Sequence, residues 1–234
     1  SHGMLKLVYD IVDKYSLIKD DWNGFNVLQT AASRVVALDM KLVRDGGVDA
    51  VITGAEGGDI KVVYNLGADE IDSKRLKKAF VIYQGSHGDE GVRNANVILP
   101  GTAYTEKSGT YLNTEGRVQR TQQAIFGPGE AREDWTIFRA LSEVIGNTLS
   151  FDDIVQLRAA LIEDYPHFAI LDRKPIAEWA NTGTMVPLLN VGFTMAISDF
   201  YATNPIARAS ETMKECRNAM SNPNHAEGAT GTNG

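Results

Sequence analysis

The fold class that the sequence predicts is α/β: a Rossmann-like parallel sheet with flanking helices, a β-hairpin and a C-terminal helical appendage. Three short apolar runs, each closed by a glycine, indicate the strands: Ile60–Leu66, Phe80–Tyr83 and residues 94–101. These runs do not alternate strictly between apolar and polar residues, which is typical of a parallel sheet covered on both faces. The sequence NTEG at residues 113–116 lies between two extended segments and favours a tight hairpin turn with Gly116 at positive φ.

Apolar residues at helical spacing predict two helices before the sheet. The first spans Met4–Lys14, and the second spans Phe25–Leu38 with Asn23 as its N-cap. A short apolar run lies among the glycines of residues 43–59. Periodicity alone leaves helix and strand open for that run.

Two further helices are predicted after the hairpin. Residues 132–146, with sequence REDWTIFRALSEVIG, have an apolar face and end at Gly146. The next helix is expected to start at Ser150 as N-cap and to close at Pro166. A last helix is expected near Asn204-Pro205, because proline suits the first helical turn.

The chain is predicted to contain one Rossmann-like domain and a less regular C-terminal part. Residues 1–3 are typical of a remnant of tag removal, so the folded part is expected to begin at residue 4 and the chain to be a fragment. The Rossmann-like domain is placed at 4–147 and the helical and irregular segment at 148–220. The small, polar residues 221–234 are expected to be disordered.

Composition excludes several classes of function. The 234 residues are 43% apolar and 23% charged, with a net charge of −7, so bulk electrostatics do not favour nucleic acid or anionic lipid. No apolar run approaches the roughly 20 residues of a membrane helix, and no signal or transit peptide is recognised. Cys216 is the only cysteine, which excludes an internal disulfide, a cysteine-held iron–sulfur cluster and a cysteine-based zinc site.

The loops after the first two strands are the first candidate site. His87, Asp89 and Glu90 follow the second strand, where ligands bind in open α/β sheets, and could hold a metal or supply a base. The favoured alternative is a glycine loop whose Asp89 bonds its own backbone, because no second His or Cys motif completes a ligand set. Gly67 could open a phosphate loop, but the sequence has neither phosphate-binding glycine motif, so Gly67 is expected only to turn the chain.

The hairpin region is the second candidate site. Glu106 and Glu115 could act as paired carboxylates near Lys107, Asn113 and Arg117. In the favoured alternative, Lys107 and Arg117 neutralise the two acids and Asn113 makes the turn.

Nucleophilic catalysis has little support in the sequence. The chain has no G-x-S-x-G elbow. Cys216 is expected to be a buried, inert thiol, and His167 and His225 have no motif around them. No catalytic, cofactor-binding or metal-binding residue is therefore assigned.

Four segments carry a resemblance to a known family. They are VVYNLGADEID at residues 62–72, residues 79–119 through the hairpin, AREDWTIFRALSEVIG at 131–146 and DFYATNPIARASETMKEC at 199–216. Together they resemble the family of the 75 kDa subunit of respiratory complex I, known in bacteria as the G subunit of NADH–quinone oxidoreductase. The hairpin is also similar to the wider molybdopterin oxidoreductase superfamily.

The resemblance implies a scaffold without chemistry of its own. Full-length members are expected to carry iron–sulfur clusters in an N-terminal part that this chain lacks, and to relay electrons from NADH towards quinone. In this branch the molybdopterin-like part is regarded as having lost its cofactor, so no cofactor is expected in this chain. The implied partners are other subunits of the peripheral arm, on the cytoplasmic face of the bacterial membrane or the matrix side of the mitochondrial one.

Two other functions remain open at this stage. The chain could be the cofactor-binding portion of an active molybdopterin oxidoreductase, or a small α/β module that senses nucleotide. A separate question concerns the apolar, uncharged segment Met185–Ile197, which is expected either to form an interface with partner subunits or to pack on the sheet.

Overall fold

The structure is a computed structural model that describes residues 2–31, 33–176, 179–181, 184–187, 190–192, 194–197 and 199–221. These residues form helices, two short 3₁₀ turns and two small sheets. The helices are α1 His2–Lys14, α2 Arg34–Asp39, α3 Gly47–Gly57, α4 Glu90–Arg93, α5 Asp134–Val144, α6 Ile154–Asp164, α7 Pro205–Ala209 and α8 Glu211–Ser221.

The first sheet is parallel, as predicted. Its strands are β1 Val62–Leu66, β2 Phe80–Gly85 and β3 Val97–Pro100, in the order β1-β2-β3. Val62 pairs with Phe80, and Ile82 pairs with Val97. The three apolar runs therefore form the expected strands of an α/β fold.

One face of this sheet carries the main core. Val63 and Val81 lie on that face, and the buried residues packed with them come from α3, from the 3₁₀ turn Ser73–Leu76 and from the residue just before β2. These are Ile52, Ala55, Leu76 and Ala79. The apolar run among the glycines of residues 43–59 is thus a helix, α3, which settles the alternative that periodicity left open.

The opposite face of the sheet is only partly covered. Phe138 of α5 packs on Tyr64, with ring centroids 5.1 Å apart. Val62 is nevertheless 56% exposed and Phe80 47% exposed. The prediction of a sheet covered on both faces is confirmed for one face only. The physical reason is that β1 and β2 are joined by a 3₁₀ turn, and β2 and β3 by the four-residue α4, so no long crossover helix lies on this side.

The second sheet is the predicted hairpin. Strands β4 Thr110–Leu112 and β5 Val118–Arg120 are antiparallel, with Leu112 opposite Val118. Leu112, Val118 and Phe168 form a second buried cluster, which α2 and α6 complete. The hairpin therefore joins α6 to α2.

The predicted helix over Phe25–Leu38 is mostly wrong. Only α2, Arg34–Asp39, is helical, and residues 24–29 have no regular structure. The Asn23 side chain accepts a hydrogen bond from the Phe25 N–H in a local turn instead of capping a helix. Phe25 packs edge-on against Tyr9 and Trp179, and this aromatic cluster holds the segment in an extended path.

The helices after the hairpin are confirmed, with one corrected cap. α5 ends before Gly146, which has φ of +76°. α6 is capped by Asp153, whose side chain accepts from the N–H groups of Val155 and Gln156, and not by Ser150. The Asp153 carboxylate also favours the positive end of the helix dipole, which explains why it is the cap.

The helix that was predicted near Asn204-Pro205 is α7. Asn204 caps this helix by accepting from the Ala207 N–H, and Pro205 is its first residue, as predicted. Ser221, expected to be disordered, is the last residue of α8, and residues 222–234 of the expected disordered tail lie outside the described residues. Within Met185–Ile197, the described residues Met185, Val191 and Met195 are exposed, whereas 188, 189 and 193 lie outside the described residues.

Helix length bears on the prediction of no membrane insertion. Among the helices of the described residues, none combines the length and apolar character needed to cross a bilayer.

The hairpin turn gives the first testable result. Gly116 has φ of +80°, and a Cβ built there would lie 2.9 Å from Cγ of Pro175. Gly116→Val is expected to lower the free energy of unfolding by about 1–2 kcal/mol, because a β-branched residue is strained in this conformation. Thermal or urea unfolding followed by circular dichroism measures the change.

Gly192→Val is the matched control for this substitution. A Cβ built at Gly192 would have no described residue within 4 Å. An unchanged melting temperature for Gly116→Val would contradict the turn geometry.

Candidate functional site at the carboxyl edge of the parallel sheet

The carboxyl ends of β1 and β2 bring two acidic loops together. Asp69 follows β1 after Gly67, and Asp89 follows β2. Gly67, at φ of +59°, donates its N–H to the carbonyl of Gln84 and directs the first loop away from the sheet, as predicted. Parallel strands end at one edge of a sheet, so residues distant in sequence meet there.

Asp69 is the most buried charged group of this edge. Its side chain is fully buried, and Oδ1 accepts a hydrogen bond from the N–H of Gly91 in α4. The other oxygen, Oδ2, accepts from Nη2 of Arg208 at 2.9 Å. A buried carboxylate requires such partners, because removing it from water is costly.

Arg208 of α7 bridges the two loops. Besides Asp69, its Nε donates to Asp89, and its Nη1 donates to the carbonyl of Ala202 at 3.2 Å. Burial by itself lowers the pKa of Arg208, but the hydrogen bonds to Asp89 and Asp69 outweigh burial and raise it. We call Asp69, Asp89 and Arg208 the Arg208 cluster; it attaches the C-terminal helices to the edge of the sheet.

Tyr83 of β2 packs against the loop that follows β2 and hydrogen-bonds to it. Its ring is buried, and its hydroxyl donates to the carbonyl of His87 at 2.7 Å. Burial raises the pKa of Tyr83, and the nearby Asp69 carboxylate adds to this. A Cβ on Gly91 would overlap the Tyr83 ring and lie 2.7 Å from Oδ1 of Asp69, so only glycine fits at this position.

The side-chain contacts at this edge bear on the ligand hypotheses. The sequence had suggested that the side chain of Asp89 bonds its own backbone. In the structure this side chain pairs with Arg208 instead. The side chain of His87 bonds to its neighbour in sequence, with Nδ1 3.0 Å from Oγ of Ser86. Within the described part of the chain, no group of three or more His, Cys, Asp or Glu residues is placed to hold a metal ion.

The charges at this edge of the sheet also disfavour a phosphate site. Glu70 lies beside the cluster, with Oε1 3.9 Å from Nη2 of Arg208, so three carboxylates surround one guanidinium. The Gly91 N–H, which could otherwise face an anion, is bonded to Asp69. The edge thus presents an excess of negative charge where a phosphate would need donors.

Lys107 belongs to a polar network between the sheet and α5. It pairs with Oδ2 of Asp134, whose Oδ1 accepts from Nε2 of Gln84 at 2.8 Å. Gln84 is fully buried and accepts from the Tyr64 hydroxyl. Burial raises the pKa of Tyr64, and the charge on Asp134 adds to this. Sequence reasoning missed Asp134, Gln84 and Tyr64, which carry no motif.

The hairpin turn uses its polar residues structurally. Oδ1 of Asn113 accepts from the N–H groups of Glu115, at 2.9 Å, and Arg117, at 3.0 Å. Arg117 pairs with Glu115, and its hydrogen bond lowers the pKa of that carboxyl. Arg117 also donates to the carbonyl of Asp172 at 2.6 Å. The predicted neutralisation of Glu115 by Arg117 is confirmed.

The corresponding pairing of Glu106 with Lys107 is wrong. Oε2 of Glu106 accepts from the Ala103 N–H at 3.0 Å. Lys107 points instead to Asp134, because α5 brings that carboxylate against the loop.

The remaining candidates do not join a common site. Cys216 lies on α8 and is half-buried, not buried as expected. Nε2 of His167 lies 2.6 Å from Oδ2 of Asp39, which connects the second 3₁₀ turn, Pro166–Ala169, to α2. His225 lies outside the described residues.

Comparison with known protein families identifies the class of protein to which this chain belongs. The family model for molybdopterin oxidoreductase matches residues 2–144. The chain belongs to the molybdopterin oxidoreductase family. A second model, for the C-terminal region of the G subunit of NADH-ubiquinone oxidoreductase, matches residues 174–216, which include Arg208.

Individual relatives place the chain in one branch of that family. It is 44% identical over 209 residues to the NADH-ubiquinone oxidoreductase 75 kDa subunit of Reclinomonas americana, a match that covers 87% of this chain and 30% of the relative. It is 42% identical over 228 residues to the mitochondrial 78 kDa subunit of Candida albicans, with 92% of this chain and 31% of the relative covered. The G subunit of NADH-quinone oxidoreductase from Rickettsia bellii is 37% identical over 215 residues, with 92% and 30% covered.

These matches confirm the resemblance that the sequence indicated to the 75 kDa subunit family of complex I and its bacterial counterparts. The chain spans about 30% of the length of these curated relatives.

Proposed function

We propose that this chain is a non-catalytic scaffold part of the large peripheral-arm subunit of complex I, whose parent relays electrons from NADH through iron–sulfur clusters towards quinone. The observation that carries the proposal is the Arg208 cluster. In open α/β sheets the ligand binds outside the carboxyl ends of the strands. In this chain Arg208 occupies that place and is held by Asp69 and Asp89. The edge therefore attaches a helix where an active relative would need to bind a cofactor.

The exposed surface supports a role within a larger assembly. The uncovered face of the parallel sheet exposes Val62 and Leu66 of β1 and Phe80 of β2. A contiguous exposed apolar patch is typical of surfaces that other polypeptides cover.

The partners, cofactors and location follow from the same proposal. The partners are the rest of the parent subunit and other peripheral-arm subunits, on the cytoplasmic face of the bacterial membrane or the matrix side of the mitochondrial inner membrane. This chain holds no cofactor of its own, and the clusters belong to the N-terminal part of the parent. The lone Cys216 supports this, because an iron–sulfur cluster ordinarily requires four protein ligands.

Cofactor analysis tests the proposal. The purified chain is expected to be colourless, without absorbance bands of flavin or iron–sulfur clusters, and to contain no molybdenum or pterin. The full-length subunit that contains this sequence is expected to bind iron but no stoichiometric molybdenum, as measured by elemental analysis and pterin fluorescence.

The opposite result supports the competing function. One molybdenum and one pterin per full-length subunit would overturn the scaffold proposal and identify an active molybdopterin oxidoreductase. Saturable calorimetric binding of a nucleotide to the chain would instead indicate a sensor module.

A further inference from the structure

A cavity of about 380 Å³ lies between α2, the hairpin, α5 and α6, away from the Arg208 cluster. Most of its wall is apolar or aromatic, with contributions from Val36, Met40, Tyr111, Trp135, Leu157 and Phe168. Pockets of this size and character are typical of sites for small organic groups. Neither the scaffold role nor the family match assigns anything to this cavity.

Arg158 of α6 places a guanidinium in the wall of the cavity. Its Nε donates to Oγ1 of Thr110 and its Nη2 to the carbonyl of Gly109, both at a long 3.4 Å. A guanidinium has five N–H donors, so three of them have no bond within the described part of the chain. No carboxylate among the described residues lies within ion-pair distance of Arg158.

The surroundings of Arg158 do not compensate its charge. Burial lowers the pKa of Arg158, and the nearby positive charge of Arg120 lowers it further, while Glu133 has the opposite, smaller effect. A partly buried cation with a second cation beside it is costly unless an anion joins it.

The other charged groups of the cavity are already bonded. Lys107 pairs with Asp134. Oε2 of Glu133 accepts from Nε1 of Trp135 at 2.8 Å. Among the described residues of the wall, Arg158 is therefore the cation that has no ion pair.

We propose that this cavity binds a carboxylate carried by an apolar or aromatic body, with Arg158 as the residue that bonds the carboxylate. The planar fork of the guanidinium matches a carboxylate in a bidentate geometry. The apolar wall, with Trp135 and Tyr111, contacts the body of the ligand. The carboxylate comes either from a free small acid or from an acidic side chain of another polypeptide.

A pair of probes with the same skeleton tests the charge requirement. 3-Phenylpropionate is titrated into the ¹⁵N-labelled chain, and the indole N–H signal of Trp135, assigned with Trp135→Phe, is followed by NMR. The acid is expected to shift this signal saturably. The neutral alcohol 3-phenylpropanol is expected to bind at least about tenfold more weakly, because it cannot form the charged bond.

Variants of two arginines test the residue. Arg158→Gln is expected to weaken binding of 3-phenylpropionate about tenfold or more, and Arg158→Lys to keep part of the affinity. Arg139→Gln is the matched control, because Arg139 pairs with Glu143 and Asp152 outside the cavity and should leave the affinity unchanged. If Arg158→Gln does not fold, the lysine variant and the comparison of acid with alcohol decide.

Three results would overturn the proposal: no saturable shift, equal affinity for the acid and the alcohol, or unchanged affinity in both Arg158 variants. A capped tripeptide with glutamate between two leucines, compared with its glutamine counterpart, separates the two sources of the carboxylate. Tighter binding of the glutamate peptide than of the free acid identifies a polypeptide side chain. Tighter binding of the free acid identifies a small-molecule site.

Discussion

Arg208→Gln is expected to lower the free energy of unfolding by about 3 kcal/mol, because it leaves a buried carboxylate without its cation. The side chain of Asp69 is fully buried, and its Oδ2 bonds Nη2 of Arg208 at 2.9 Å. Glutamine is too short to reach both Asp69 and Asp89 and carries no charge. Urea unfolding followed by circular dichroism measures the loss.

A second ion pair of the same region is the control. Arg217 of α8 pairs with Asp199, but the guanidinium side chain is 56% exposed. Arg217→Gln is therefore expected to cost less than about 1 kcal/mol. Equal losses for the two variants would contradict a structural role for the Arg208 cluster.

A double-mutant cycle separates the ion pair from general damage. If Arg208 acts through Asp69, the Asp69→Asn and Arg208→Gln substitutions will not be additive, with a coupling of about 0.5–3 kcal/mol. Limited proteolysis adds a local readout: cleavage near α7 should become faster in Arg208→Gln than in Arg217→Gln. Additive losses with unchanged proteolysis would show that Arg208 does not attach α7 through Asp69.

Phe168→Ala is expected to have an effect of similar or larger size, about 3–5 kcal/mol. Phe168 is only 2% exposed and packs with Leu112 and Val118 of the hairpin, so removal of its ring leaves a cavity in the second core. The same urea experiment measures the change. Because this cluster joins the hairpin to α2 and α6, the loss should affect the packing of these elements.

Phe126→Ala is the matched control, since Phe126 is 89% exposed. Its substitution is expected to change the free energy of unfolding by no more than about 0.5 kcal/mol. A loss below about 1 kcal/mol for Phe168→Ala would show that the hairpin and α6 are not packed on each other.

The elements that local sequence could predict are those with a local cause. The turn at residues 113–116 forms because Asn113 bonds N–H groups two and four residues ahead and Gly116 accepts positive φ. α7 starts at Pro205 because Asn204 caps it. The helix expected over Phe25–Leu38 failed because aromatic contacts with residues distant in sequence, such as Trp179, outweighed its helical spacing.

Only part of the candidate site could be predicted from the sequence. The glycine loops with Asp69 and Asp89 could be placed at the carboxyl edge, since parallel strands end there. Their partner could not, because Arg208 lies 139 residues after Asp69 and no pattern joins them. The same holds for Lys107, which pairs with Asp134 and not with its sequence neighbour Glu106.

The sequence by itself determined the family, the parallel strands, the hairpin and the lack of cysteines for a cluster. These depend on residue type and short-range spacing, which the chain carries in any conformation. Only the tertiary structure decided which charges meet, which sheet face stays open and that Arg158 lies in a cavity wall with no ion-pair partner among the described residues. Ion pairs and cavities depend on the distance between segments far apart in the chain, and that distance is set by how the two cores pack.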